Sequence, residues 1–261
     1  MKYIDTHAHY NDEKFNDILD ETLEDVVNAG VTHIINIGYD KKSSIKAIEL
    51  SRKYEYMYTT VGVHPHDVRN DSAQDIYDIY NKSNSEEIKK IVGIGEIGLD
   101  YAFIKDNKDE QAKLFIEQIE LSNALKLPIV IHTRDASLDT YKIIKEHKAK
   151  YGTLFHCFSP TDDLMRLVLE GGYSVAFGGN ITYKRNASFE KYIVKIPIGQ
   201  IVIETDSPYL PPEPYRGKIN TSANLPIICK RLSEYKNMNE EEVAKLVYSN
   251  SIKFFNINEK D

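Results

Sequence analysis

Eight histidines occur in this 261-residue chain. Six of them, His7, His9, His64, His66, His132 and His156, fall at or just beyond the carboxyl end of a short β-branched run. His33 and His147 fall elsewhere and read as structural or solvated. In Asp5-Thr6-His7-Ala8-His9, strand geometry turns residues i and i+2 to the same side, so both imidazoles can reach one ion. An isolated H-x-H is weak. It gains weight from Glu96 in VGIGEIGLD, His132 in IVIHTRD, His156 in LFHCFS and Asp206 in VIETDSP. These donors are more than one hydrolytic ion takes from protein, whereas two ions about 3.5–4 Å apart need ligands on either side and a bridging carboxylate. Glu96 is the natural bridge. Without a cation the carboxylates would repel one another, and a divalent ion relieves that repulsion while fixing the imidazole tautomers. The pattern predicts two divalent ions and metal-assisted hydrolysis. Imidazoles mixed with carboxylates suit Zn, Mn, Fe or Co, while Mg prefers oxygen.

Donors so far apart in sequence need a scaffold that gathers strand ends. Short strand candidates occur at Tyr3–Thr6, His33–Ile37, Met57–Val63, Lys90–Ile94, Pro128–Ile131, Thr153–Phe155, Tyr173–Ala176 and Gln200–Ile203, each followed by a helical pattern. The clearest helix spans Lys108–Leu125, with Leu114, Ile116, Ile119, Leu121 and Leu125 on its apolar side. A weaker one spans Leu138–His147. Gly30 reads as a helix C-terminal cap, and Thr161 or Asp162 as the N-cap of a helix beginning near Leu164. Strand–helix alternation repeated in this way predicts an α/β fold, a (β/α)8 TIM barrel with its metal site at the C-terminal ends of the strands. No G-x-G-x-x-G opens a helix after the first strand, which argues against a dinucleotide-binding open sheet. The length suits a single domain over residues 1–261, since such barrels need roughly 250 residues. Tyr209–Thr221 is the longest irregular stretch, stiffened by Pro211, Pro212 and Pro214.

Apolar residues at 41% and charged residues at 28% are ordinary for a globular chain with a sizeable core. The amino terminus lacks the apolar run of a signal peptide and no stretch is long enough to span a membrane, so a cytoplasmic location is expected. Cys157 and Cys229 are far apart and in no ligand spacing, which predicts reduced, buried thiols, Cys157 packed against a helix. A net charge of −7 argues against broad wrapping of nucleic acid but allows a local basic patch for one strand end.

The segments IDTHAH (4–9), VGVHPH (61–66), IGEIGLDY (94–101), LPIVIHTRDA (127–136), FHCFS (155–159) and IETDSPYL (203–210) together make the chain resemble the TatD family of metal-dependent deoxyribonucleases, nearly end to end. The resemblance implies that His7, His9, Glu96 and Asp206 bind one ion and Glu96, His132 and His156 the second. It also implies an exonuclease that cleaves phosphodiester bonds of DNA, single strands or strand ends, by a two-metal-activated water, commonly with Mg or Mn. On that reading Asp206, Glu96 and His64 are the catalytic candidates: Asp206 accepts the water proton and His64 orients substrate or protonates the leaving oxygen. Arg134, Asp135 and Glu204 read as support for the ligands. Lys184, Arg185, Arg216 and Lys218, on loops after strands seven and eight, are candidates for phosphate, and Tyr101 and Tyr209 for stacking on a base. Many family members carry R-G-K-R-N-E-P after the last motif. Here Arg216-Gly217-Lys218 keeps its first half and Ile219-Asn220-Thr221-Ser222 departs from the rest. Two other readings differ in chemistry: an ester or amide hydrolase such as an aminoacyl-tRNA deacylase, and a noncatalytic nucleic-acid-binding barrel. A monomer suffices for every role named.

Overall fold

The computed structural model of the chain describes residues 1–83, 85–103 and 106–257. Among the described residues there are eight strands: β1 (Tyr3–Ala8), β2 (Val31–Ile37), β3 (Met57–Val61), β4 (Ile91–Asp100), β5 (Ile129–Arg134), β6 (Thr153–Phe155), β7 (Ser174–Phe177) and β8 (Ile201–Ile203). They form one sheet in chain order, with parallel pairing at β1–β2, β3–β4, β4–β5, β5–β6 and β7–β8. Just past β8 the chain returns to β1. Ala8 bridges Ser207, the Asp206 N–H donates to the His7 carbonyl at 2.8 Å, and the His9 N–H donates to the Ser207 carbonyl at 2.7 Å. The fold is a (β/α)8 barrel, as the alternation predicts.

The chain forms two compact units. The first comprises residues 1–36, 156–160 and 174 onward. Its core sets Ile4, Val175 and Val202 of the strands with Ile228, Leu232 and Val247 of the helices Leu225–Lys236 and Glu240–Phe255. The second comprises residues 37–155 and 161–173 and is built on β3 to β6. Its helix Lys108–Leu125 keeps its predicted bounds but buries Gln111, Leu114, Phe115, Gln118, Ile119 and Ser122, leaving Ile116, Leu121 and Leu125 partly exposed. Two glutamines on that face have a purpose. Each offers one acceptor and one donor, which matches the C=O and N–H of a single residue. Gln118 accepts from the Val63 N–H at 2.8 Å and donates to its carbonyl at 2.9 Å; Gln111 grips Asp100 in the same way at 2.9 and 3.0 Å. The helix thereby fixes the backbone next to His64 and at the end of β4.

Several elements differ from expectation. β4 runs through Asp100, so Glu96 lies inside the strand and not at its end. Gly93, Gly95 and Gly98 weaken the strand pattern in the sequence, yet the ladder Ile97↔Ile131, Gly98↔His132, Leu99↔Thr133, Asp100↔Arg134 continues past them. β7 is followed by 3-10 segments at Gly179–Thr182 and Lys184–Phe189 and the short helix Glu190–Ile193, without a full helix of its own. Thr161 is the N-cap of the helix Asp162–Gly171, accepting from the Leu164 N–H at 3.3 Å, and Gly30 follows the first helix with φ 89°. Among the described residues no helix is long and apolar enough to cross a membrane.

Candidate metal centre

In the first unit, the carboxyl end of β1 supplies His7 and His9, whose Nε2 atoms approach to 3.2 Å with the rings edge-on. His156 stacks on His7 with centroids 3.9 Å apart. The Asp206 Oδ1 lies 3.7 Å from His7 Nε2 and 3.4 Å from His9 Nε2. A φ of 58° at Asp206 and its N–H bond to His7 turn the carboxylate toward the imidazoles. Burial pushes its pKa up, but the hydrogen bond from His9 and the charges of His7, His156 and His9 outweigh burial, so it sits below the usual carboxylate range. Donor atoms of His7, His156 and Asp206 all lie within 4.8 Å of one another. Imidazole nitrogens and a carboxylate oxygen converging in this way fit a divalent cation.

The backbone of these residues is braced from behind by Asp5, which is fully buried. Its Oδ1 accepts the Thr205 N–H at 3.0 Å and the His7 N–H at 3.2 Å; its Oδ2 accepts the Thr205 hydroxyl and, at 2.6 Å, the Ser222 hydroxyl. Burial drives the Asp5 pKa up to about 7 against the pull of the Ser222, Thr205 and His7 bonds. The departing segment therefore acts inward. Ser222 also receives the Tyr10 hydroxyl at 2.8 Å, and Asn220 donates to the Thr205 and Tyr209 carbonyls at 2.8 and 2.7 Å. Glu204 is buried, as a supporting residue should be, and accepts the Cys157 N–H at 2.6 Å beside His156. Cys157 does not pack as expected. It is half-buried with φ 43°, and its sulfur accepts from Asn180 at 3.5 Å, whereas Cys229 is buried; neither is in a disulfide.

The second unit gathers His64, Glu96, Asp100 and His132. The imidazole of His132 spans the gap left by Gly98, with Nδ1 2.7 Å from Glu96 Oε1 and Nε2 3.1 Å from Asp100 Oδ2. His64 Nε2 lies 3.8 Å from Glu96 Oε1, and its Nδ1 accepts the His66 N–H at 3.2 Å. Burial, then the charge of His132, holds the His64 pKa well below the ordinary histidine range against the pull of Glu96. At neutral pH that ring is uncharged. Asp100 is the residue that the sequence reading missed here. His66, one of the six histidines placed at strand ends, donates from Nε2 to Asp100 at 3.1 Å. Burial raises the Asp100 pKa, but the hydrogen bond and charge of His132, the Ala102 N–H and the charge of His66 hold it far below the usual range. Arg134 and Asp135 are exposed and do not support His132; the Arg134 guanidinium lies over Phe103 at 4.7 Å.

The substrate candidates divide. Lys184, Arg185, Arg216 and Lys218 are exposed in the first unit. Tyr183 draws two loops together, with Arg216 over its ring at 4.0 Å and Arg185 at 5.5 Å, while Lys218 sits 5.4 Å from the Tyr215 ring. Tyr101 is not a stacking surface. It is 8% exposed, its hydroxyl donates to Asp139 at 3.2 Å and Lys108 covers its ring, because the continued β4 carries it into packing. Tyr209 is 43% exposed, with its ring 6.2 Å from that of His9, Lys14 over it at 4.3 Å and its hydroxyl held by Asp12 at 2.7 Å.

Comparison with known proteins gives the family. The model of the family "TatD related DNase" matches residues 4–256. The chain is 37% identical over 257 residues to the uncharacterized metal-dependent hydrolase YabD of Bacillus subtilis strain 168, covering 98% of this chain and 99% of that protein. It is 32% identical over 256 residues to the uncharacterized metal-dependent hydrolase MJ1582 of Methanocaldococcus jannaschii, covering 98% and 97%. The fold is similar to the crystal structure of YjjV, a TatD homologue from Escherichia coli K12, with a TM-score of 0.90, 26% identity and 98% of each chain covered. A family match over almost the whole length, joined to histidine and carboxylate donors at the strand ends, has one reading: this chain belongs to the TatD family and is a metal-dependent hydrolase.

Proposed function

We propose that the enzyme is a deoxyribonuclease that removes nucleotides from single strands or strand ends, with two divalent ions, Mg, Mn or Zn, held by His7, His9, Glu96, His132, His156 and Asp206. Glu96 is shared between the ions. When bound, such ions lower the pKa of water and offset charge on phosphoryl oxygens. The observation that carries the phosphodiester reading is the cationic and aromatic surface of the first unit. Lys14 lies over an exposed Tyr209 next to His9, and Arg185 and Arg216 are both held on Tyr183. Cations suit phosphate and an exposed ring suits an unpaired base, a contact worth roughly 1–3 kcal/mol. An ester or amide substrate without a nucleic-acid part calls for neither.

Asp206 is ionised at neutral pH and serves as the acceptor for the proton of the attacking water. His64 is neutral. Because its Nδ1 accepts the His66 N–H, its proton resides on Nε2, from which it donates a hydrogen bond that orients the substrate and steadies charge on the leaving oxygen, which takes its proton from solvent as the phosphorus–oxygen bond breaks. Lys184, Arg216 and Lys218 hold the phosphates that flank the scissile bond. The test is cleavage of end-labelled single-stranded DNA by protein reconstituted with each divalent ion in turn, with Glu96→Ala and Asp206→Ala in parallel. Stepwise shortening by the wild type, lost in both variants, is expected. No cleavage with any ion refutes the nuclease reading, and release of an amino acid from aminoacyl-tRNA in the same preparation would favour the acyl alternative.

A further inference from the structure

We infer that Asp100 is a positioning residue for the metal centre: it orients His132 so that Nδ1, and not Nε2, is the atom presented to an ion. The inference rests on the reading of His132 as a ligand. Asp100 is 1% exposed, at the end of β4. Its backbone is gripped on both sides by Gln111, which is itself tied to Asn107 at 2.7 Å. Its carboxylate is committed as well. Oδ1 accepts the Ala102 N–H at 2.9 Å, and Oδ2 accepts from His132 Nε2 and His66 Nε2, each at 3.1 Å.

A carboxylate that is ionised can only accept, so each imidazole nitrogen facing Oδ2 carries a proton. His132 keeps its Nε2 proton toward Asp100, so the nitrogen that can exchange its own proton for an ion is Nδ1. In His132 that atom points the other way, 2.7 Å from Oε1 of Glu96, the carboxylate proposed to be shared between the ions. The geometry therefore places the two donor atoms, His132 Nδ1 and Glu96 Oε1, side by side on the face away from Asp100. A carboxylate–histidine–metal relay of this kind sets the tautomer and the ring angle of the ligand. Direct ligation by Asp100 is a poor match: donor atoms of His64, Asp100 and His132 do lie within 4.8 Å of one another, but Oδ2 already holds two N–H groups at hydrogen-bond distance.

Two measurements on the full chain test this. In metal-free wild type labelled with 15N-histidine, with the His132 signals assigned from a His132→Asn variant, long-range 15N–1H spectra should show His132 protonated at Nε2. A proton on Nδ1 with Nε2 bare overturns the inference without recourse to any variant. Calorimetric titration with Zn2+ alone should then show that Asp100→Asn, an amide of the same size, binds one ion about 10–100-fold more weakly at unchanged stoichiometry. Wild-type affinity in Asp100→Asn overturns the positioning role, and loss of a whole equivalent of Zn2+ would make Asp100 a ligand instead. His132→Ala with unaltered Zn2+ binding overturns the ligand reading beneath the inference, a failure distinct from the tautomer result.

Discussion

Replacing Gly98 by alanine tests whether the backbone between Glu96 and Asp100 has to approach His132 as closely as the structure has it. Gly98 adopts φ 143°, a conformation that costs a residue with a Cβ about 1–3 kcal/mol. An added Cβ would lie 2.0 Å from the His132 carbonyl oxygen, 3.0 Å from its carbon and 3.2 Å from its nitrogen. These are backbone atoms of the paired strand and cannot swing aside as a side chain can. Relieving the overlap by separating β4 from β5 costs about another 1–3 kcal/mol, for a total of about 4 kcal/mol. Gly172 supplies the comparison. It has φ 63° and nothing within 4 Å of its Cβ position, so Gly172→Ala bears only the conformational cost, about 1 kcal/mol. Gly199 has open space and no such φ, and Gly199→Ala should be neutral or slightly stabilising. Urea denaturation of the three variants at equal m-values gives the order directly. Zn2+ titration of Gly98→Ala should also show weakened binding, since Glu96 and His132 move apart with the strands. A midpoint for Gly98→Ala no lower than that of Gly172→Ala refutes the reasoning.

Ser222→Ala removes a donor from buried Asp5 and an acceptor from buried Tyr10; a loss of about 3 kcal/mol is expected, seen as a fall in melting temperature of roughly 6–12 °C, and an unchanged melting temperature would show that the brace carries no load. The Cys229 thiol is pushed up to about 12, first by burial and then by the charge of Glu240. Its neutral form contributes stability below about pH 9, and that contribution is lost as the pH rises toward 12. At pH 8 native alkylation followed by mass spectrometry should leave Cys229 unmodified, and rapid labelling there would contradict its burial. Mn2+ at about 100 times its dissociation constant should stabilise the wild type by about 2.7 kcal/mol, an effect reversed by chelation and weakened in His9→Ala. Equal shifts in both proteins would remove His9 from the ligand set.

Residues whose meaning is local were legible in the sequence. The i, i+2 spacing of His7 and His9, both ends of the helix Lys108–Leu125 and both ends of β6 depend on neighbours a few positions away, and the structure keeps them. Residues whose meaning comes from a distant partner were not. Asp100 lies beyond three glycines that read as the end of a strand, so nothing nearby announced that it would face His132 and His66. Gln111 and Gln118 count against an apolar face in any hydrophobicity pattern, although a buried amide is what two backbone groups with no ladder partner need. Tyr101 and Tyr209 looked equivalent in their motifs. They part because β4 is longer than its composition suggests and buries the first, while the loop past β8 leaves the second in the open.

The brace around Asp5 joins residues 200 and 217 positions apart in the chain. A ribosome adding about 5–20 residues per second delivers His7 and His9 roughly 10–40 s before Asp206 and Ser222 emerge. Throughout that interval the nascent chain carries two imidazoles without the carboxylate that faces them and a charged Asp5 without its hydroxyl donors. The first unit is thus completed by its own carboxyl-terminal third, and a chain stopped short of Ser222 keeps the histidine motif while lacking the groups that give it a shape. Synthesis order makes the shaping of this half of the centre a late event.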